Sequence, residues 1–271
     1  MDAEESARAQ IGRTIGDRYK LLGLLGSGGM GAVYLAEHVF TKRRVALKRM
    51  HPEYAHSKQA AERFVRESRA PSTIGHPGIV QVLDGGADAD GSLYLVLELL
   101  DGVSLHEAIE QNALDANAVV QIGVELLDAL AAAHVKGFVH RDIKPDNVFL
   151  THDGRGGVAV KLLDFGIAAL RDTESSASLT RTGSVLGTPP YMSPAQARGE
   201  RVDARSDLWA VGALLYRALA GRAPYTADTE IALIVSIVTK QHAPLSESRP
   251  DLPAALLHAV ERALSKSPQD R

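Results

Sequence analysis

His140-Arg141-Asp142-Ile143-Lys144-Pro145-Asp146-Asn147 is the stretch on which the reading of this chain turns. Taken singly, an Asp or Asn after a turn is commonly a cap. Together they offer more. Asp142 can accept or orient the proton of an attacking hydroxyl. Asn147, five positions later, presents a neutral oxygen to a hard cation. Asp164, in Asp164-Phe165-Gly166, brings a carboxylate to the same cation. Phosphoryl transfer asks a protein mainly for positioning and charge neutralisation, so one placed carboxylate suffices for the acceptor. Mg²⁺ takes such oxygen ligands and completes its shell with phosphate oxygens and water.

Upstream, Gly26-Ser27-Gly28-Gly29-Met30-Gly31 matches G-x-G-x-x-G. That pattern alone also opens dinucleotide folds, where it follows a strand and begins a helix. Here residues 32–37 read as a strand, so the glycines sit at a hairpin tip. A glycine-rich hairpin lets backbone N–H groups approach phosphate oxygens without Cβ obstruction. Val33 then lies beneath the loop, where it could cover a base. Val45-Ala46-Leu47-Lys48 places a lysine on the third strand. By itself Lys48 is as readily a solvated surface lysine as a cation held over nucleotide phosphates. The second role needs an orienting carboxylate. Glu67 on the following helix is the candidate, although an exposed helix glutamate is otherwise ordinary.

Residues 19–50 read as strands, 58–70 as a helix, and 80–83 and 93–97 as two further strands around a turn-rich 84–91. Beyond Gly102 the pattern turns helical, over 104–111, 117–135, 207–220, 229–239 and 253–264. A strand-rich first third joined to a helical remainder implies two lobes, with the boundary near residues 98–102. The Ser/Thr-rich, charged stretch 171–184 is a long polar loop, a type that is usually functional or disordered. The chain has 271 residues, a net charge of −3 and no cysteine. It lacks the basic bias of a nucleic-acid or membrane-surface binder, and disulfides and thiolate metal sites are excluded. The first ten residues have no secretory pattern, and Glu125 and Asp128 interrupt the most apolar stretch, so no membrane contact is expected from these residues.

With these motifs in place the chain resembles the eukaryotic-like protein kinases, and is most similar to their bacterial Ser/Thr branch, from about residue 19 onward. The resemblance implies an α+β, bilobal protein-kinase fold. A small antiparallel β lobe of five strands with one main helix (19–98) follows an N-terminal extension (1–18). A larger, mainly helical lobe (99–271) ends before the family's last helix, and ATP lies in the cleft. It implies ATP and Mg²⁺, with Mn²⁺ as an alternative cation. Gly26, Ser27, Gly28, Gly29, Met30 and Gly31 would cover the phosphates. Lys48 would hold them and pair with Glu67. Val33 and Ala46 would roof the base, Phe149 would floor it, Leu97 would back it, and Glu98 to Leu100 would form the hinge. Asp142 would be the catalytic base, with Asn147 and Asp164 as metal ligands. His140 and Phe165 would pack and position, and Asp207 would anchor the catalytic-loop backbone. Lys144, two residues after the base, marks the Ser/Thr class. Thr188 would face substrate. Thr180 and Thr182 align with activating phosphothreonines, with Arg141 placed to receive the phosphate. An unmodified loop is the alternative.

The implied partners are protein substrates with Ser or Thr, and a second copy of the chain phosphorylated in trans through a transient homodimer. The implied location is cytoplasmic, with a membrane-anchored parent left open. Three departures stand out. Ala195 replaces the family's glutamate, whose arginine partner falls at Arg271. Pro71 should kink or end the helix that carries Glu67. The chain stops at Arg271, which is then expected to turn towards water. A pseudokinase scaffold would usually lack Lys48, Asp142 or Asp164. A small-molecule phosphotransferase would lack the threonine-bearing segment that ends in Gly187-Thr188-Pro189-Pro190-Tyr191-Met192-Ser193-Pro194.

Overall fold

The computed structural model describes residues 3–29, 31–51, 64, 69–152, 157–164 and 189–271. The chain divides into two compact units. The first comprises Met1–Gly75 and Ile79–Asp101, the second His76–Gly78 and Gly102–Arg271.

The first unit begins with helix α1 (Ala3–Arg8), followed by β1 (Thr14–Ile15), β2 (Tyr19–Gly28), β3 (Gly31–His38) and β4 (Arg44–Met50). Residues 69–74 are helical (α2), and β5 (Val82–Ala87) and β6 (Leu93–Leu97) complete an antiparallel sheet of order β1-β2-β3-β4-β6-β5. It has six strands rather than five, because Thr14–Ile15 adds a short edge to β2. Side chains alternate across a strand, so one face collects Leu21, Tyr34, Ala36, Val45, Leu47, Tyr94 and Val96 into a buried core. α1 closes that core: Ala7 is buried, and the Tyr34 hydroxyl donates to the Ala7 carbonyl at 3.2 Å. The N-terminal extension is therefore part of the unit's packing.

Two expectations need correction here. The strand expected at 80–83 runs instead over Val82–Ala87 and includes Gly85 and Gly86. These glycines serve close packing, not a turn. A Cβ on Gly86 would lie 2.9 Å from the Tyr94 hydroxyl, and one on Gly85 would lie 3.0 Å from Leu95 Cδ2. Second, Pro71 does not end its helix. Residues 69–74 are helical, and the Gly75 N–H bonds the Pro71 carbonyl at 2.9 Å. Proline sacrifices a bond only towards the preceding turn, and its own φ suits a helix. Most of the 58–70 helix lies outside the described residues.

The second unit contains β7 (Gly102–Ser104), α3 (Leu105–Glu110), α4 (Ala116–Val135), β8 (Val148–His152) and β9 (Val158–Leu162). After these come α5 (Pro194–Ala197), α6 (Ala204–Ala220), α7 (Glu230–Thr239), α8 (Leu245–Ser248) and α9 (Ala254–Ala263). β7, β8 and β9 form a small antiparallel sheet. α4 and α6 are the core helices. Ile122, Leu126 and Leu130 of α4 and Trp209, Leu214 and Tyr216 of α6 are all but fully buried. Gly212 lets α6 and α9 cross closely, since a Cβ there would stand 2.7 Å from that of Ala263. By length and composition α4 could cross a membrane, but its inner face belongs to this core.

Arg271 does not turn towards water. Its guanidinium donates to the carbonyls of Ser265 (2.9 Å), Arg205 (3.0 Å) and Lys266 (3.1 Å) and lies over the Trp209 ring. Burial holds its pKa down at about 10. Ala195 is itself buried. Backbone carbonyls thus take the hydrogen bonds that a carboxylate partner would have accepted, which is why the chain end stays packed without one.

Candidate active site

In the first unit the hairpin register pairs Gly26 with Val33, Ser27 with Ala32 and Gly28 with Gly31, so the glycines do form the tip of β2–β3. They are not alike. A Cβ on Gly26, Gly28 or Gly29 would meet nothing within 4 Å, whereas one on Gly31 would strike the Arg49 carbonyl at 2.1 Å. Gly31 is demanded by the sheet. The other three leave open space along the backbone, the room that a phosphate bound by N–H groups requires. The His51 ring nitrogen Nε2 lies 3.0 Å from the Gly28 carbonyl and holds the loop's base.

Directly opposed residues share a face of the sheet. Val33 pairs with Lys48, Leu35 with Ala46, Ala46 with Leu97, and Lys48 with Leu95. Val33, Ala46, Lys48 and Leu97 therefore lie together on the face opposite the Tyr34–Leu47–Val96 core. Lys48 is half-buried there. Past β6, Glu98 exchanges two bonds with Gln81, N–H to carbonyl at 3.0 Å and Gln81 N–H to Oε1 at 2.9 Å. Residues 98–101, which include Leu100, carry no regular structure before the second unit begins.

In the second unit the octapeptide is shaped by Asp207, from the first turn of α6. Its carboxylate accepts the His140 N–H (2.9 Å) and the Arg141 N–H (2.8 Å), and meets His134 Nε2 at 2.7 Å. Asp207 is almost fully buried, so these partners satisfy a charge that burial would otherwise penalise. The same grip holds Arg141 at a left-handed φ of 69°, a conformation that non-glycine residues keep only when surroundings impose it. Gln196 adds a bond from its amide nitrogen to the Arg141 carbonyl at 2.8 Å. His140 is wholly buried, with Nε2 2.8 Å from the Leu163 carbonyl and Nδ1 accepting the Asp142 N–H at 3.3 Å. Both ring nitrogens are occupied, so the imidazole orients Asp142 and has no lone pair left for a reacting proton.

Asp142 Oδ2 lies 3.4 Å from Lys144 Nζ and accepts from Asn147 Nδ2 at 3.1 Å. Asn147 Nδ2 also donates to the Asp142 carbonyl at 2.8 Å. These two bonds settle which way the amide points and leave Oδ1 as the atom available to a cation. The Asn147 carbonyl accepts the Leu163 N–H at 2.8 Å, which brings Asp164, at φ 51°, alongside it. Among the described residues no group of three His, Asp or Glu could hold a metal. An Asn147–Asp164 pair would therefore leave most positions of a cation to phosphate and water, as Mg²⁺ prefers. Phe149 is half-buried on β8, opposite Lys161 and Ser104.

Met30, Glu67, Phe165, Thr180, Thr182 and Thr188 lie outside the described residues. Two supporting residues were not anticipated, His134 and Gln196. Gln196 was legible, because Ser193-Pro194-Ala195-Gln196 is a capping-box pattern and both of its bonds form, at 3.0 and 3.3 Å. His134 carried no local signal.

The sequence matches the protein kinase domain family over residues 19–271. It is 39% identical over 265 residues to serine/threonine-protein kinase pkn3 of Myxococcus xanthus, covering 96% of this chain and 48% of that protein. It is 36% identical over 262 residues to serine/threonine-protein kinase PrkC of Bacillus subtilis, covering 96% and 39%. The chain thus spans between about a third and a half of the length of the curated relatives it matches. The crystal structure of the Mycobacterium tuberculosis PknI kinase domain superposes with a TM-score of 0.72 at 30% identity, covering 96% of this chain and 92% of that one. Fold, motifs and relatives agree that this chain belongs to the protein kinase family, as a bacterial eukaryotic-like serine/threonine kinase domain that uses ATP and a divalent metal.

Proposed function

We propose that this domain transfers the γ-phosphoryl group of ATP to Ser or Thr hydroxyls of proteins, with Asp142 addressing the acceptor hydroxyl. The observation that carries this reading is the convergence on Asp142: Lys144 and Asn147 reach its carboxylate, and His140 fixes its backbone. Lys144 beside Asp142 suits a step in which charge develops between acceptor oxygen and phosphorus. In the first unit, Gly26, Ser27, Gly28, Gly29, Met30 and Gly31 receive the phosphates, and Lys48, oriented by Glu67, supplies the compensating cation. Val33, Ala46 and Leu97 contact the base, and Glu98 to Leu100 offer backbone groups to its edge. Asn147 Oδ1 and Asp164 hold Mg²⁺, or Mn²⁺ in its place. A metal held there would supply charge neutralisation to the phosphates. Thr188 faces the substrate. Thr180 and Thr182 are the sites of autophosphorylation in trans, with Arg141 as receiver, and ATP dependence favours a cytoplasmic setting.

The test is transfer from radiolabelled Mg-ATP to a generic protein, with small hydroxyl compounds in parallel. Asp142→Asn is expected to lower the rate by about 10³-fold or more while nucleotide binding and the melting curve persist. Robust turnover by that variant would remove Asp142 from its role. Transfer to small compounds alone would point to a different phosphotransferase. Peptide mapping after self-reaction should find phosphate on Thr180 and Thr182.

A further inference from the structure

Glu125 is an odd residue for its place. Along α4 the only Asp, Glu, Lys or Arg side chains are Glu125 and Asp128. Glu125 is half-buried, and its neighbours one turn away on either side, Ile122 and Ala129, are buried. A carboxylate so placed is costly unless it is hydrogen-bonded. Both of its oxygens are. Oε1 accepts from Gln121 Nε2 at 2.9 Å, and Oε2 accepts the backbone N–H of Val160, on β9, at 2.7 Å.

β9 is the edge strand of its sheet, paired with β8 on one side. The N–H groups of alternate residues point to opposite edges of a strand. The outward ones at 160 and 162 are both taken, Val160 by Glu125 and Leu162 by the Gly78 carbonyl at 2.8 Å. Gly78 in turn rests on α4. Its N–H donates to His76 Nδ1 at 3.1 Å, which leaves Nε2 to donate to Asp128 Oδ2 at 3.1 Å, and a Cβ on Gly78 would stand 3.1 Å from that of Ala129. Residues 125, 128 and 129 share one side of α4. That side holds the outer edge of β9 once directly and once through residues 76–78. The direct hold is the firmer, because Val160 is buried, whereas the Asp128 side chain is 74% exposed and a solvated pair contributes little.

What β9 delivers is Asp164. The Leu163 N–H bonds the Asn147 carbonyl at 2.8 Å, and Asp164 follows at a left-handed φ of 51°. A strand tied along one edge can shift as it leaves the sheet, and one tied along both cannot. We propose that Glu125 is a positioning residue for the metal site, acting through the Val160 N–H to set Asp164 beside Asn147. The proposal rests on the reading of Asn147 and Asp164 as metal ligands. It adds a residue 35 positions from its contact on β9 that is not itself a ligand. Groups that orient metal ligands from behind typically change metal affinity about 10- to 100-fold when removed.

Glu125→Leu removes the acceptor and keeps a good helix former. Calorimetry should show Mg-ATP bound about tenfold more weakly, with metal-free adenosine bound as before, and half-maximal transfer should need about tenfold more Mg²⁺. Amide hydrogen exchange, which needs no turnover, should quicken at Val160 and Leu162. Glu125→Gln retains an acceptor oxygen without the charge and should match the native chain in every respect. Glu125→Asp retains the charge but draws the oxygen back by one methylene. It should move in the same direction as Glu125→Leu, and it replaces that variant if the latter does not fold. Asp164→Asn, measured in parallel, separates the two readings. If it weakens Mg-ATP binding and Glu125→Leu does not, the proposal alone fails. If neither weakens it, the assignment of Asp164 fails and the proposal with it. Equal losses for Mg-ATP and adenosine would make Glu125 merely structural, and a Gln variant as impaired as the Leu variant would show that its charge acts rather than its bond to Val160. Either result would overturn the proposal.

Discussion

Asp207 gathers three donors to hold the chain around Asp142, whereas Gly26, Gly28 and Gly29 at the β2–β3 tip face open space. On the proposed reading the two regions serve the same chemistry under opposite constraints. An acceptor hydroxyl must be met by a carboxylate already in place, because reorganising it during transfer would raise the barrier. A polyphosphate brings its own charge and shape, and a backbone free of Cβ atoms can close on it. On that reading, buried hydrogen bonds shape the backbone where the ligand is small and neutral, and open backbone is left where it is large and charged.

That contrast can be broken most forcefully at Asp207. Asp207→Ala strands two buried backbone N–H groups and the His134 ring, at a cost of about 3 kcal/mol. We expect a clear drop in melting temperature and loss of transfer, with nucleotide affinity reduced far less. A native-like melt with normal turnover would show that the loop holds its shape unaided. The hairpin offers a smaller test. Gly31→Ala drives a methyl group into the Arg49 carbonyl and should cost about 2 kcal/mol. Gly28→Ala should leave the melt within about 0.5 kcal/mol and appear only as weaker Mg-ATP binding. Equal losses of stability in the two variants would erase the distinction between glycine kept for the sheet and glycine kept for a ligand.

Two effects at the far end of the second unit are smaller still. By the family resemblance Ala195→Glu would give Arg271 a carboxylate partner, and the depressed pKa of about 10 at Arg271 reflects a desolvated charge. We expect stabilisation of up to about 1 kcal/mol. A flat or lower melting temperature would show that the three carbonyls already suffice. Lys266 donates to the Ile237 carbonyl and lies over the Trp209 and Tyr225 rings, and burial lowers its pKa to about 8. The unfolded lysine keeps its proton up to about pH 10.4. Between those values the unfolded state binds more protons, so stability should rise with pH. The gain should stay below about 1 kcal/mol, because solvent screening and the attraction of the rings both reduce it. Above about pH 10 Tyr225, whose pKa burial pushes up to about 12, works against the rise, while Arg271, held down at about 10, adds to it. At Tyr225 the folded protein then holds a proton that the unfolded chain has lost. Melting curves of the native chain and Lys266→Met across pH 7 to 11 decide this, and the variant should lack the rising limb.

The sequence was most readable where chemistry is carried by consecutive residues. The octapeptide, the glycine hairpin and the strand bearing Lys48 stand where their spacing placed them, because turns and register are local properties. The ends of α4, α6, α7 and α9 were legible to within a few residues for the same reason. What escaped depends on distant chain. α1 is six residues long, too short to persist alone, and exists because Ala7 and Tyr34 meet. Gly85 and Gly86 imitate a turn until the Tyr94 and Leu95 side chains are known to fill the space beside them. His134 gains its meaning from Asp207, 73 positions away. Arg271 looked free to leave the surface because carbonyl partners leave no mark in a sequence.

The Asp207 contact also has a consequence for the order of assembly. The bonds that shape the octapeptide span 66 and 67 positions. They close only after α6 has been synthesised and has docked, and a loop of that length brings its entropy cost before any bond repays it. A nascent or partly unfolded chain can therefore contain every residue of the octapeptide without the backbone shape that makes Asp142 an acceptor. On the proposed role of Asp142, transfer then waits on the docking of α6.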